Sequence, residues 1–165
     1  VAHAEAADPR PVCRVLLTPQ GAPLTQARVE SLAAEPRLLL IAGHYEGIDE
    51  RVVEELNPIE LSVGDFVVSG GELPTMMVID AVTRLLPGAL GHEDSALEDS
   101  FSHRPDAQRR LLDCPHFTRP RTWRGRDVPE VLLSGDHGAV AQWRSEQMIE
   151  RTRARRPDLF QQEQS

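Results

Sequence analysis

Three apolar runs, each followed by a segment with helical spacing, constrain the fold of this chain more than any other feature of its sequence. The runs are VCRVLLTP (12–19), RLLLIAG (37–43) and IELSVGDFVVSGG (59–71). Helical patterns follow at 25–33, 47–56 and 72–88, where Thr25 is a capping candidate and Pro74 suits a first turn. Alternating strands and helices predict an α/β layer with a parallel sheet. The continuous run 37–43 is typical of a strand buried on both faces.

The two ends of the chain differ from this pattern. The opening VAHAEAADPRP resembles the end of an alanine-rich helix entered midway, so we expect the chain to be a fragment. The stretch between Gly88 and Pro120 is polar and interrupted by prolines, which is typical of a mobile linker. Helical spacing returns over 138–156, with arginines at the end where the helix dipole favours them.

Composition limits the class of protein. No apolar stretch approaches the roughly 20 residues that a membrane span requires, so we expect a soluble protein without a membrane partner. The cysteines Cys13 and Cys114 have no metal-type spacing, which favours reduced thiols in the cytoplasm, with a single disulfide as the alternative. The set His92, His103, Cys114 and His116 fits no structural zinc spacing, so no metal site is predicted.

The charges are distributed unevenly. The net charge is −8, but residues 42–100 carry 13 acids against Arg51 and Arg84, whereas residues 104–126 carry seven arginines against two acids. All 18 basic residues are arginine, for which a compositional bias of the source genome is the simplest explanation. Even so, the segment RPRTWRGR (119–126) places guanidinium groups beside Trp123, which suits phosphate binding and base stacking.

Three glycine-containing loops are the candidates for ligand binding. In parallel α/β sheets ligands bind outside the carboxyl ends of the strands, which selects LTPQGAP (17–23), GHYEGID (43–49) and SGGELP (69–74). The chain contains neither the Rossmann glycine pattern nor a P-loop. Each loop alone is adequately explained as a turn, but three of them at one sheet edge predict a pocket for a small ligand.

Two charged residues stand out outside these loops. Arg84 is a lone cation near the end of an apolar helical segment, and a structural role at the helix C-terminus would explain it. Asp99 lies in the polar stretch, where it could be a solvated acid or a helix cap. Neither residue indicates a function when taken alone.

Four motifs taken together carry a family resemblance. GHYEGIDERV, SVGDFVVSGGELP, IDAVTRLLPGALGHEDSALEDSF and LLDCPHFTRP, in that order and spacing, resemble the bacterial tRNA (guanine-N1)-methyltransferases of the TrmD family, which belong to the SPOUT class. The resemblance runs from about Val12 to about Phe160. It implies an α/β fold whose parallel sheet, flanked by helices, contains a deep trefoil knot, followed by a linker and the start of a helical C-terminal domain.

The resemblance also implies a ligand and a reaction. S-adenosylmethionine would donate a methyl group to N1 of the guanosine on the 3′ side of the anticodon in tRNA. Asp99 would be the general base, and Arg84 would orient the guanine and stabilise charge on its ring. The residues expected to bind the methyl donor are Leu17, Thr18, Gly43, Glu46, Ser62, Val63, Gly64, Asp65, Phe66, Val67, Val68, Gly70, Gly71 and Pro74. No metal is required for the transfer, although Mg²⁺ could assist it.

The same resemblance predicts the organisation of the chain and its partners. We expect a knotted donor-binding domain over 1–100, a flexible linker over 101–120 and part of a helical tRNA-binding domain over 121–165. Four arginines are expected to contact tRNA phosphates: Arg119, Arg121, Arg124 and Arg126. The expected functional unit is a homodimer with its active site at the subunit interface, located in the cytoplasm.

Three departures from the family pattern leave alternatives open. Sequence expected before the strand at 12–18 is absent, the C-terminal helical region stops at Ser165, and the linker over 102–110 is longer than expected. The alternatives are a non-catalytic RNA-binding or dimerising fragment and a knotted methyltransferase with another acceptor. A metal-dependent hydrolase using the acids of 93–99 is a third, disfavoured by the lack of clustered ligands.

Overall fold

The computed structural model describes residues 1–89, 99–102 and 110–160. The chain forms two compact units, Val1–Glu93 and Asp94–Ser165, and each is described by itself. Within the described ranges, the structure contains no helix with the length and apolar character needed to cross a membrane.

The N-terminal unit is a parallel sheet with helices. Its elements are α1 (Ala2–Ala6), β1 (Cys13–Pro23), α2 (Gln26–Ala33), β2 (Leu38–Ala42), α3 (Glu50–Leu56), β3 (Ile59–Ser62) and α4 (Glu72–Thr83). The strand order is β2-β1-β3, and β1 pairs in parallel with both neighbours. The predicted α/β fold with a parallel sheet is therefore confirmed.

The central strand β1 carries the buried part of the sheet. Val15 lies opposite Leu40 of β2 and Ile59 of β3 and is fully buried. In contrast, β2 is only half-buried along most of its length, because it pairs on one side alone in the sheet that the structure describes. The expectation that the run 37–43 is buried on both faces is therefore wrong.

The core of this unit joins the sheet to α2 and α4. Seven buried apolar side chains form it: Val15, Leu17, Val29, Leu32, Leu61, Val78 and Val82. Burying a side chain of this size contributes about 1.5–3 kcal/mol. The core therefore fixes α4 against the sheet through Val78 and Val82, and α4 begins at one of the predicted loops.

The helix starts follow from the local sequence. The Thr25 hydroxyl oxygen accepts a hydrogen bond from the Arg28 N–H at 3.3 Å, as the capping prediction required. Asp49 caps α3 in the same manner through the Arg51 N–H at 3.0 Å, so that helix begins at Glu50 and not at Gly47 as expected. Pro74 lies in the first turn of α4, as predicted.

The segment 17–23 is part of β1 and not a separate loop. After Leu17 the pairing with β3 is interrupted and resumes at Ala22. A Cβ atom on Gly21 would lie 2.5 Å from the carbonyl carbon of Glu60, which the neighbouring backbone cannot accommodate. Glycine at this position therefore lets the two strands approach while the interrupted residues bulge out of the ladder.

The C-terminal unit combines a short hairpin with a long helix. Its elements are β4 (Thr122–Trp123), β5 (Arg126–Asp127), a 3₁₀ helix (Glu130–Leu133), α5 (His137–Arg155) and a second 3₁₀ helix (Pro157–Phe160). The helix expected over 138–156 is confirmed. It is capped by Asp136, whose carboxylate accepts a hydrogen bond from the Ala139 N–H at 3.0 Å.

An extended segment is attached to α5 by a buried hydroxyl. Thr152 is fully buried, donates to the Met148 carbonyl oxygen at 2.7 Å and accepts from the Leu112 N–H at 2.9 Å. The Asp113 N–H donates to the Ser100 hydroxyl at 2.9 Å. These bonds hold Ser100, next to the start of the predicted linker, and Leu112 and Asp113, within it. The linker boundaries at 101 and 120 stay a prediction.

Candidate functional site

One cavity of about 510 Å³ in the N-terminal unit brings the three selected segments together. Its walls come from the irregular part of β1, from the loop between β2 and α3, and from the segment between β3 and α4, represented by Thr18, Gly43 and Gly70. The prediction that the glycine-containing segments meet is confirmed. The parallel sheet explains it, since the carboxyl ends of β1, β2 and β3 lie at the same edge.

Nearly all residues assigned to the methyl donor line this cavity. They are Leu17, Thr18, Gly43, Glu46, Ser62, Val63, Gly64, Phe66, Val67, Val68, Gly70, Gly71 and Pro74. Asp65 is exposed and is not among the lining residues. The structure thus gathers the assigned residues, and their role in binding stays a prediction.

Gly71 makes a close backbone contact in the cavity wall. Its N–H donates to the carbonyl oxygen of Gly43 at 2.8 Å. A Cβ atom on Gly71 would lie 2.8 Å from the Cα atom of Ala42 and 2.9 Å from the Gly43 nitrogen. The second glycine of the pair therefore lies at the turn into α4 and also allows two main-chain segments to lie close together, next to the antiparallel bridge between His44 and Gly70.

Gly64 shapes the wall that follows β3. Its φ of +152° is a conformation that side chains rarely allow, and a Cβ atom there would lie 2.6 Å from the Phe66 ring. The Ser62 hydroxyl donates to the Gly64 carbonyl oxygen at 3.0 Å. This turn leaves Phe66 and Val67 largely exposed beside the cavity.

A hydrogen bond between side chains joins two of the loops. The His44 imidazole contacts the Glu72 carboxylate, and both side chains are more than half exposed. The pKa of Glu72 lies below its ordinary value because its own backbone N–H hydrogen-bonds the carboxylate, and His44 adds to this effect. Sequence reasoning missed this pair, although both residues lie in motifs that were expected to meet.

Tyr45 stands at the mouth of the cavity. It lines the cavity, its side chain is 99% exposed, and its ring lies 5.8 Å from the His44 ring. Its φ of 57° is in the left-handed region, which is uncommon for an aromatic residue. Such strained backbone conformations are frequent at ligand sites. Tyr45 is therefore a candidate ligand contact, which the sequence analysis did not identify.

The two residues assigned to chemistry lie in different units. Arg84 is exposed at the C-terminal end of α4, where its N–H donates to the Asp80 carbonyl oxygen at 3.1 Å. Asp99 is half-buried, and its carbonyl oxygen accepts from the Ser102 N–H at 3.3 Å. The assignment of Asp99 as general base and of Arg84 as the residue that orients the guanine and stabilises its charge stays a prediction.

The four arginines assigned to RNA contacts all lie on the surface of the C-terminal unit. Arg119 and Arg121 line a second cavity of about 970 Å³, together with Arg144 from α5 and an apolar wall that includes Leu132. Arg121 also pairs with Glu130 at 3.2 Å. Arg144 is a basic residue of this surface that the sequence analysis did not select.

Cys114 and His116 belong to a cluster with Asp113. Their candidate donor atoms lie within 4.8 Å of one another, and the His116 Nε2 lies 2.8 Å from the Asp113 Oδ2. Burial raises the pKa of the Cys114 thiol, and the Asp113 carboxylate raises it further, so the thiol is protonated at neutral pH. The other two zinc candidates, His92 and His103, lie outside the described residues, as do the acids at 93–98.

Comparison with known proteins identifies relatives over nearly the whole chain. The family model described as tRNA (Guanine-1)-methyltransferase TrmD matches residues 2–162. A Halorhodospira halophila protein named tRNA (guanine-N(1)-)-methyltransferase is 59% identical over 157 residues, which are 95% of this chain and 57% of the relative.

Two further relatives with the same name support this match. The Pseudomonas aeruginosa protein is 57% identical over 94% of this chain and 60% of its own length. The protein from Neisseria meningitidis is 51% identical over 98% of this chain and 62% of its own length. The chain therefore spans about three fifths of the length of the curated relatives it matches.

Proposed function

The chain belongs to the tRNA (guanine-1)-methyltransferase TrmD family, and on this premise we propose that it transfers a methyl group from S-adenosylmethionine to N1 of a tRNA guanosine. The guanosine we propose is the one on the 3′ side of the anticodon. The observation that carries the proposal is the cavity at the carboxyl edge of the sheet, which is lined by all the residues assigned to the donor except Asp65.

The cavity suits a ligand the size of S-adenosylmethionine. Its volume of about 510 Å³ falls within the range of roughly 300–1,000 Å³ that is usual for small-molecule sites. Gly43, Gly70 and Gly71 have no side chains, so main-chain groups are accessible in the walls. A purine ring could therefore approach the backbone and form hydrogen bonds with its N–H and C=O groups. Apolar residues such as Leu17 and Val63 offer contacts to the adenine faces.

The close approach of two main-chain segments at this cavity supports the proposal of a knotted chain. The segment that leaves β3 passes against the end of β2, where the Gly71 N–H bonds to the Gly43 carbonyl and no side chain fits between them. A trefoil knot requires segments of the main chain to pass this close to one another. We propose that the cavity lies within such a knot.

The proposed chemistry needs one base and one cation. S-adenosylmethionine, when bound, supplies an electrophilic methyl group on a sulfonium. Guanine N1 is a poor nucleophile while it carries a proton, so the Asp99 carboxylate would accept that proton. The methyl group would pass to N1 as its bond to sulfur breaks, leaving the donor as a neutral thioether. The Arg84 guanidinium orients the guanine and balances the negative charge that gathers on its ring. Mg²⁺ is not needed for these steps, although it could assist them.

The surface of α4 supports a homodimer. Four large apolar side chains of this helix are at least half exposed: Leu73, Met76, Met77 and Ile79. Phe66 and Val67, in the segment before the helix, are exposed as well. Apolar groups in such number on one helix are typical of an interface. We propose that a second copy of the chain covers them and that the active site forms between the two subunits.

Met76→Glu tests the dimer. We expect this variant to shift the protein from dimer to monomer in sedimentation velocity at micromolar concentration, because a buried, unpaired carboxylate opposes association. Its fold should be retained, since Met76 is 63% exposed in the single chain. Val52→Glu, a comparable change on α3 at a residue 42% exposed, is the matched control and should remain dimeric. A wild-type protein that is monomeric at this concentration would contradict the dimer.

The reaction is tested by donor binding and by transfer. Calorimetry should show that S-adenosylmethionine binds the protein. Radiolabelled methyl should then enter a tRNA transcript with guanosine 3′ of the anticodon and should not enter a transcript with adenosine there. Absence of donor binding would refute the methyltransferase. Equal labelling of both transcripts would refute the acceptor, and binding of donor and tRNA without transfer would favour the non-catalytic alternative.

The cellular location follows from the same reaction. Cys13 and Cys114 are free thiols, as expected for a reducing compartment. We propose that the protein acts in the cytoplasm, where tRNA is modified.

A further inference from the structure

The β4–β5 hairpin presents a tryptophan on a rigid turn. Arg124 and Gly125 form its two-residue turn, and both have positive φ, 52° and 74°, as in a type I′ turn. Thr122 lies opposite Asp127, and Trp123 lies opposite Arg126. The tight turn therefore fixes the direction in which the Trp123 side chain leaves the backbone.

The two faces of this hairpin differ in charge. Opposed residues on an antiparallel pair share a face, so Trp123 and Arg126 lie together on one face. On the other face the Thr122 hydroxyl donates to the Asp127 carboxylate. The acid of the hairpin is therefore bonded away from the indole, and the face that carries the indole is basic.

Arg124 completes this basic face. Its guanidinium carbon lies 4.9 Å from the centre of the Trp123 ring, within the range of a cation–π contact. The indole is nevertheless 57% exposed. The contact could serve only to stabilise the hairpin, but an arginine needs one face of the ring, and much of the indole remains accessible to a flat partner.

We propose that Trp123 is a stacking site for an unpaired base of the RNA substrate, with Arg124 and Arg126 binding the flanking phosphates. This proposal rests on the proposed function and assigns the base stacking that the sequence suggested to one exposed residue on a rigid turn, with two named arginines beside it. A flat aromatic ring among guanidinium groups fits a nucleotide, because every base has a face that stacks and every nucleotide carries a phosphate. The bases of an RNA duplex are already stacked, so we assign the site to a single-stranded loop.

The experiment uses Trp123 as its own reporter. The chain contains two tryptophans, and Trp143 is half-buried with its ring 6.2 Å from that of Phe117, so Trp143→Phe leaves Trp123 as the single indole. An anticodon stem-loop RNA is titrated into this variant at fixed salt. We expect the indole fluorescence to be quenched as RNA binds. A blunt RNA duplex of equal charge should bind more weakly and leave the fluorescence almost unchanged.

Affinities of further variants separate stacking from charge. Trp123→Ala should weaken stem-loop binding about tenfold, and Trp123→Phe should retain part of the affinity. Arg124→Ala should reduce the slope of log affinity against log salt by about one. Arg155→Ala removes an exposed arginine near the end of α5 and is the matched control for charge alone.

An abasic loop distinguishes a ligand contact from a merely structural role. Replacing the loop bases with abasic sites should weaken binding to the parent protein and have a much smaller effect on Trp123→Ala, because that variant has already lost the stacking partner. Unchanged affinity of Trp123→Ala, or equal quenching by duplex and loop, would overturn the proposal. Donor binding and methyl transfer are measured in parallel: if they fail while quenching and the tenfold loss remain, the reaction is refuted and the stacking site stands.

Discussion

Asp99→Asn is expected to abolish methyl transfer while leaving the affinity for S-adenosylmethionine nearly unchanged. Asparagine has a similar size and cannot accept the N1 proton, so the step that depends on a general base is lost. Such groups typically contribute a factor of 10²–10⁴ to the rate. The measurement is single-turnover transfer to the tRNA transcript, with donor affinity from calorimetry.

The control for this prediction is Asp113→Asn. Asp113 is half-buried in the same unit, with its carboxylate accepting the Cys114 N–H at 2.7 Å and meeting His116. Its loss should alter stability more than the rate of chemistry. If Asp99→Asn lowers donor affinity and transfer to the same extent, or leaves the rate intact, Asp99 is not the base.

Gly71→Ala is expected to destabilise the N-terminal unit at the wall of its cavity. The added methyl group would lie 2.8 Å from the Ala42 Cα atom and 2.9 Å from the Gly43 nitrogen. These are backbone atoms of the β2 end and cannot move aside as a flexible side chain can. Overpacking of this kind costs about 1–3 kcal/mol, so the free energy of unfolding in urea should fall by that amount, and the cavity should lose donor affinity.

Gly43→Ala, at the residue whose carbonyl oxygen accepts the Gly71 N–H, is the matched control. A Cβ atom on Gly43 would have its nearest contact at 3.5 Å, with the Ile48 side chain, which is an ordinary van der Waals distance. Its unfolding free energy should change by less than about 0.5 kcal/mol. If both substitutions leave the free energy of unfolding unchanged, the close backbone contact at Gly71 does not limit which residue can stand there.

The secondary structure was predictable where local sequence determines it. The apolar runs predicted where β1, β2 and β3 begin, although β3 covers only Ile59–Ser62 of the run 59–71. Thr25 and Pro74 marked the starts of α2 and α4. The burial of β2 was not predictable, because it depends on which strands flank it. An apolar run reads the same in a central strand and in one that is paired on a single side.

The candidate site was predictable as a place but not in its contacts. The rule that ligands bind at the carboxyl edge of a parallel sheet selected the three segments that line the cavity. The contact between His44 and Glu72 depends on how closely two loops approach each other. That approach is possible because Gly71 has no side chain. The spacing of residues along the chain does not predict such a contact between two loops.

Where Gly43 and Gly71 lie close together, the cavity wall consists of main-chain atoms. This limits how the protein could become resistant to an inhibitor. A compound that occupies the cavity and bonds to these peptide groups would contact atoms that every amino acid possesses. Escape by point substitution would require adding a side chain at Gly71, where the backbone leaves no space. Resistance by substitution at Gly71 would therefore lower the stability of the protein, whereas a compound that binds exposed Tyr45 could be evaded by a single substitution without that cost.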